Sequence, residues 1–131
     1  MIVTKKPLDI WQEWVPVSYN NDGISYISVD KEGTLIMICR AYHINDERIE
    51  IGDIWLRDDM RGKGIACMFM KNVISKIWRE YKNSRYITLY VDKSNIKALK
   101  LYEKLKFKEY QRENNNIKMI RYKRSGIYTQ N

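Results

Sequence analysis

Apolar residues along this chain change their spacing near residue 60. Before that point, β-branched and aromatic residues come in short runs, ISYISV over 24–29, TLIMICRAYHI over 34–44 and RIEIGDIWL over 48–56. The polar turns Asp30-Lys31-Glu32-Gly33 and Asn45-Asp46-Glu47 separate them. Such runs bounded by Asp, Asn and Gly predict an antiparallel meander. Val15 to Tyr19 is expected to pair with Ile24 to Val29 across Asn20-Asn21-Asp22-Gly23. Pro7 to Trp14 is expected to form one short helix opened by Pro7.

Past residue 60 the period becomes helical. From Gly64 to Tyr81, Ile65, Phe69, Val73 and Ile77 recur beside Ala66, Met70, Ile74 and Trp78, while Lys71, Asn72, Ser75, Lys76, Arg79 and Glu80 take the other face. This is a long amphipathic helix. Arg85 to Val91 reads as a strand, and Asn95 to Leu105 as a helix capped by Ser94 or Asp92. Phe107 to Arg112 and Ile117 to Tyr122 form a hairpin around residues 113–116. The predicted order is meander, helix, strand, helix, hairpin.

Composition adds limits. With 131 residues, 44% of them hydrophobic, and four Trp and ten Tyr, the chain has material for one packed domain over residues 1–131, with 125–131 as a loose tail. Cys39 and Cys67 lie in apolar segments without a CxxC pair, and there is one histidine, so no metal site is expected. No segment resembles a leader or a membrane span, which points to a soluble cytoplasmic protein.

Charge is unevenly divided. Residues 1–60 hold six Lys/Arg against eleven Asp/Glu, a net of −5, leaving +13 for residues 61–131. A basic half implies an anionic partner. Tyrosines interleaved with Lys and Arg would suit single-stranded nucleic acid. That reading is disfavoured, because Tyr86 and Tyr90 alternate along one strand and Lys97, Lys100 and Lys104 follow helical spacing.

The chemistry concentrates at Arg57-Asp58-Asp59-Met60-Arg61-Gly62-Lys63-Gly64-Ile65-Ala66, where a strand feeds a glycine-containing loop that opens the long helix. Orphan N–H groups and the helix dipole make such a junction an anion site, here reinforced by Arg61 and Lys63. It is neither a P-loop nor GxGxxG.

Arg61-x-x-Gly64-x-Ala66 resembles the Gln/Arg-x-x-Gly-x-Gly/Ala acyl-CoA signature of the GNAT (GCN5-related N-acetyltransferase) superfamily. Val91, Asn95, Ala98, Tyr102 and Phe107 are similar to that family's second strand-helix pattern. The resemblance covers residues 24–123 and implies the α/β (α+β) acyltransferase fold. Its mixed, mostly antiparallel sheet is splayed at the acetyl-CoA site, and here residues 1–23 would form a shortened N-terminal helical region.

The resemblance further implies that acetyl-CoA lies between the strand ending at Leu56 and the strand Tyr86 to Val91, with its pyrophosphate on the N–H groups of Arg61, Gly62, Lys63, Gly64, Ile65 and Ala66. Pantetheine would run along Ile54, Trp55 and Leu56, with Asn95 and Ala98 on the other side and Tyr102 near the sulfur as proton donor. Two departures stand out. Lys106 replaces the glycine before Phe107, at a helix end that often needs a left-handed residue, and Asp58 replaces the usual proline.

The acceptor amine must lose a proton. Glu50 and Asp53 are the candidate bases; by period 2 they fall on opposite faces, so at most one of them would reach the cleft, and Asp53 is favoured. His43 is a candidate relay. The activity implied is acetyl transfer from acetyl-CoA to a cationic primary amine of a protein N-terminus, a lysine or a polyamine. The short N-terminal region predicts an open acceptor site, or one completed by a second subunit in a homodimer. The alternatives are an acyl-CoA-binding module without catalysis, or a nucleic-acid-binding protein.

Overall fold

The computed structural model describes residues 10–17 and 21–123, with side chains from residue 23 onward. Its elements are β1 (Ile10–Val17), β2 (Asn21–Val29), β3 (Leu35–His43), β4 (Arg48–Leu56), a 3-10 turn at Asp58–Met60, α1 (Ile65–Glu80), β5 (Tyr86–Asp92), α2 (Ile96–Lys104), β6 (Lys108–Glu113) and β7 (Asn116–Tyr122). The seven strands form one sheet in the order β1-β2-β3-β4-β5-β7-β6. All pairs are antiparallel except β4 with β5, which α1 connects as a crossover.

The turns follow from their side chains. Asp30 closes the β2–β3 turn by accepting from the N–H groups of Glu32 and Thr34 at 3.0 and 2.9 Å. Asn45 does the same for Glu47 and Arg48.

One face of the sheet carries the core. Tyr26, Cys39, Ala41, Ile49, Ile51, Ile87, Leu89, Ile117 and Met119 point to it and meet Phe69, Met70, Val73, Ile74 and Ile77 of α1 and Tyr102 of α2. The helical period predicted for 64–81 therefore matches the buried stripe. Tyr86 and Tyr90 point the other way; Tyr90 is 45% exposed, so the core strand face is that of Ile87, Leu89 and Val91.

The N-terminal expectation fails. Ile10 to Trp14, assigned to a helix, belong to strand β1, which pairs with β2 from Ile10↔Ser28 to Val17↔Asn21; residues 7–9 lie outside the described residues. Trp11, Trp14, Val15 and Val17 are strand formers, and ladder pairing with β2 outweighs the helix-opening preference of one proline. Pairing with β2 was expected for Val15 onward, but Asn21, Asp22 and Gly23 are strand residues rather than turn, so the register shifts. The loose tail at 125–131 also lies outside the described residues.

Candidate active site

β4 and β5 pair only from Arg48↔Tyr86 to Glu50↔Thr88. Beyond Glu50 they diverge, although β4 runs on to Leu56 and β5 to Asp92. The result is a V-shaped gap with Glu50 at its vertex. Because the Arg57 N–H bonds to Ile36 O on β3 at 2.9 Å, strand alternation turns the backbone groups of Leu56 and Ile54 toward the gap and those of Trp55 toward β3. Of the expected run Ile54 to Leu56, two residues thus face the gap through their backbone; the Trp55 side chain is exposed.

A β-bulge alters the carboxylates. The β3–β4 ladder passes from Ile38↔Trp55 to Arg40↔Gly52, so Cys39 faces both Asp53 and Ile54. Asp53 takes a φ of 51°, outside ordinary strand geometry. Its carboxylate accepts from the Tyr42 hydroxyl and lies 3.6 Å from Arg40 Nη1. Tyr42 is paired with Glu50 and Arg40 with Gly52, so all these residues share one face. The expectation that Glu50 and Asp53 point to opposite faces is therefore wrong: the extra residue breaks the period-2 alternation.

Each carboxylate has a cationic partner. Arg48 Nη2 lies 2.6 Å from Glu50 Oε1, and its Nε donates to the buried Thr88 Oγ1 at 3.0 Å, bridging β4 and β5 at their last paired position. Burial, and then the Asp53 carboxylate, push the Tyr42 phenol above its ordinary value. Among the described residues the two carboxylates of this face are thus paired with guanidinium groups rather than free. His43 is not part of it. It pairs with Ile49 before the gap opens, stacks on Tyr81 with ring centroids 5.7 Å apart, and lies 3.8 Å from Asp46.

On the other face of the sheet, Tyr102 of α2 enters the core to which Cys39 also belongs. It is 6% exposed and packs edge-on to Phe107. Burial pushes its phenol well above its ordinary value, with the neighbouring Cys39 adding to the effect. No side chain among the described residues hydrogen-bonds its hydroxyl.

The loop at the mouth of the gap has the form the sequence suggested. Gly62 and Gly64 adopt φ of 75° and 76°, and a Cβ at either would meet nothing within 4 Å. Both glycines are needed for backbone conformation, and both face open space. Gly64 is the N-cap of α1 and brings no side-chain cap, and the first turn holds no acid, so the early N–H groups of α1 remain available. Arg61 Nε is tied to Asp58 Oδ1 at 3.0 Å, and Arg57 bonds to Asp59, Asp30 and Leu35 O.

α2 is capped by Asn95, whose Oδ1 accepts from Ala98 N at 3.1 Å; the expected caps, Ser94 and Asp92, form the preceding turn instead. The short Asp92 carboxylate reaches Ser94 N–H and Oγ first. Four neighbours of the candidate carboxylates escaped the sequence reading: Arg40, Tyr42, Arg48 and Thr88. Gly52 before Asp53, a glycine inside a strand pattern, was the available signal for the bulge. Among the described residues no group of three or more His, Cys, Asp or Glu could hold a metal ion, and no helix is long and apolar enough to cross a membrane.

This splayed sheet, with a glycine loop opening a helix at its mouth, is the fold of acyl-CoA N-acyltransferases. The model of the acetyltransferase (GNAT) family matches residues 2–107, and the chain belongs to that family of acetyl-CoA-dependent N-acetyltransferases. The fold is similar to that of the Campylobacter jejuni N-acetyltransferase PseH, with 22% identity, 78% of this chain and 69% of that chain covered, and a TM-score of 0.67. PseH has also been solved with acetyl coenzyme A, with a TM-score of 0.66. The Vibrio cholerae spermidine N-acetyltransferase in complex with CoA and spermine matches with 22% identity, 76% and 65% coverage, and a TM-score of 0.66. No curated protein matches the chain by sequence.

Proposed function

We propose that the chain acetylates a primary amine at the β4–β5 gap, with the amine arriving on the face of Glu50 and Asp53 and the thiol leaving on the face of Tyr102. The observation that carries this reading is the bulge at Asp53. It sets two carboxylates on one face of the sheet, while a buried phenol stands on the other next to Cys39, the residue opposite the bulge.

Acetyl-CoA supplies the activated acetyl group. The N–H groups of Gly62 to Ala66, with Arg61 and Lys63, hold its pyrophosphate; Ile54 and Leu56 offer backbone groups to pantetheine and to the thioester oxygen as charge develops there. Asn95 and Ala98 act by fixing the start of α2. The Tyr102 phenol stays protonated at neutral pH and donates to the departing sulfur.

On the opposite face, Glu50 or Asp53 accepts the proton that the attacking ammonium must lose, directly or through water. The guanidinium groups of Arg40 and Arg48 disfavour a further cation beside them and so favour the neutral, nucleophilic amine. The acceptor is a polyamine, a lysine side chain or a protein N-terminus; the spermine bound to the structurally similar Vibrio cholerae enzyme supports the first. Two free thiols suit a reducing, cytoplasmic setting. A panel of these amines, assayed for release of CoA thiol and for acetylated product by mass, tests the proposal. Thiol release no faster with any amine than without one would refute it.

A further inference from the structure

The charge division leaves most of the basic residues unexplained. Arg61 and Lys63 are the cations of the CoA loop, two of the eighteen in residues 61–131. A separate concentration lies between the two helices, in a groove of about 470 Å³ lined by Lys71, Ser75, Lys104, Lys106 and Arg121 over a floor of Ile74, Trp78 and Leu105. No carboxylate among the described residues lines it. Among the described residues Lys71, Lys104 and Lys106 form no ion pair, and Lys123 sits 5.6 Å over the Trp78 ring as a further cation. At about 1.5 Å per residue, Ser75 lies roughly 16 Å along α1 from Gly64, away from the pyrophosphate loop.

Lys106 gives the second observation. It occupies the left-handed position after α2 with a φ of 77°, held by Lys106 N to Glu103 O at 3.0 Å and Phe107 N to Tyr102 O at 2.9 Å. A glycine would adopt this conformation without strain. A lysine there, flanked by the buried Leu105 and Phe107, holds a strained backbone position on the lining of the groove.

We propose that this groove is a second anion site, distinct from the acetyl-CoA loop, and that it takes a compact oligophosphate such as the tail of a nucleoside polyphosphate. Several cations around one small groove call for charge concentrated within a few ångströms. A triphosphate supplies that, whereas an extended acidic peptide presents a carboxylate to one side only about every 7 Å. The groove has small-molecule dimensions. Single-stranded nucleic acid would stack successive bases on several aromatic platforms, but Tyr90 and Tyr122 project from the opposite face of the sheet, and among the described residues Trp78 is the single aromatic side chain lining the groove.

The test is calorimetric titration of the full chain with inorganic tripolyphosphate in the presence of saturating acetyl-CoA. Stoichiometric binding is expected, weakened at least roughly tenfold in the Lys104→Gln/Lys106→Gly variant, with acetyl-CoA affinity and turnover unchanged. The single Lys106→Gly variant should be the more heat-stable protein, so weaker binding cannot be ascribed to misfolding. The proposal is overturned if acetyl-CoA abolishes tripolyphosphate binding, or if the double variant binds as tightly as the parent. It is equally overturned if an acidic hexapeptide or a single-stranded oligonucleotide binds more tightly than tripolyphosphate.

Discussion

Replacing Gly64 by alanine separates the two demands this glycine meets. Its φ of 76° lies in the left-handed region, and a Cβ built there contacts nothing within 4 Å, so packing contributes nothing to the effect. The left-handed conformation costs a non-glycine residue about 1–2 kcal/mol. Alanine recovers about 0.4–1 kcal/mol by restricting the unfolded chain. The net loss is about 0.5–1 kcal/mol, or roughly 2–5 °C in Tm for a domain of this size. If the chain relieves the strain by rotating φ, the N–H groups at the start of α1 no longer converge. Loss of one charge-assisted hydrogen bond to phosphate, about 1.5–3 kcal/mol, weakens acetyl-CoA roughly 10- to 100-fold. Gly33, with a φ of 85° in the β2–β3 turn, is the control: Gly33→Ala carries comparable strain far from the loop. Urea denaturation and calorimetric titration with acetyl-CoA on both variants give the comparison. Equal stability losses with unchanged acetyl-CoA affinity in Gly64→Ala would refute the assignment of the loop as the phosphate cradle.

Other sites give independent checks. Lys106→Gly relieves a left-handed lysine and should raise stability by about 0.5–1 kcal/mol, after subtracting the entropy glycine adds to the unfolded chain; a rise in the urea midpoint at constant m measures it, and a fall would contradict the strain argument. Arg57, hydrogen-bonded to Asp59, holds that carboxyl below its ordinary 3.8. Asp30 is lowered chiefly by the Thr34 N–H, with Arg57 assisting. Carboxyls lowered in the native state contribute stability above the ordinary value that is lost as pH falls through the native one. Thermal melts of Arg57→Gln from neutral to acid pH should therefore show lower stability at neutrality and a shallower decline below about pH 4; a decline parallel to that of the parent would contradict it. Neutralising Glu50 and Asp53 together as Gln and Asn should lower kcat about 10²- to 10⁴-fold with acetyl-CoA affinity unchanged. A retained kcat would remove both from the proton path.

What the sequence made legible was local. The change of period near residue 60 located the meander and the long helix because each element is amphipathic and its buried stripe is visible in one dimension. The strain at Lys106 was equally legible, since a missing glycine at a helix end is a local feature. The bulge was not: inserting Asp53 opposite Cys39 depends on how β4 meets β3, and it decides which face the carboxylate takes. The partners of Glu50 and Asp53 share that origin, since Arg40 and Tyr42 become neighbours only through the β3–β4 register and Thr88 only through the parallel pairing with β5. At the N-terminus, β1 is a strand because it completes the ladder with β2, a long-range gain absent from local propensity.

The central claim is that Tyr102 and the carboxylates act from opposite faces of one gap. Its most direct test is the steady-state release of CoA thiol by the parent and by Tyr102→Phe with a saturating polyamine. The account predicts acetylated amine in step with thiol for the parent. For the variant it predicts kcat lower by about 10²-fold with an unchanged KM for acetyl-CoA, since only a proton donor is removed. A variant that turns over as fast as the parent would contradict it.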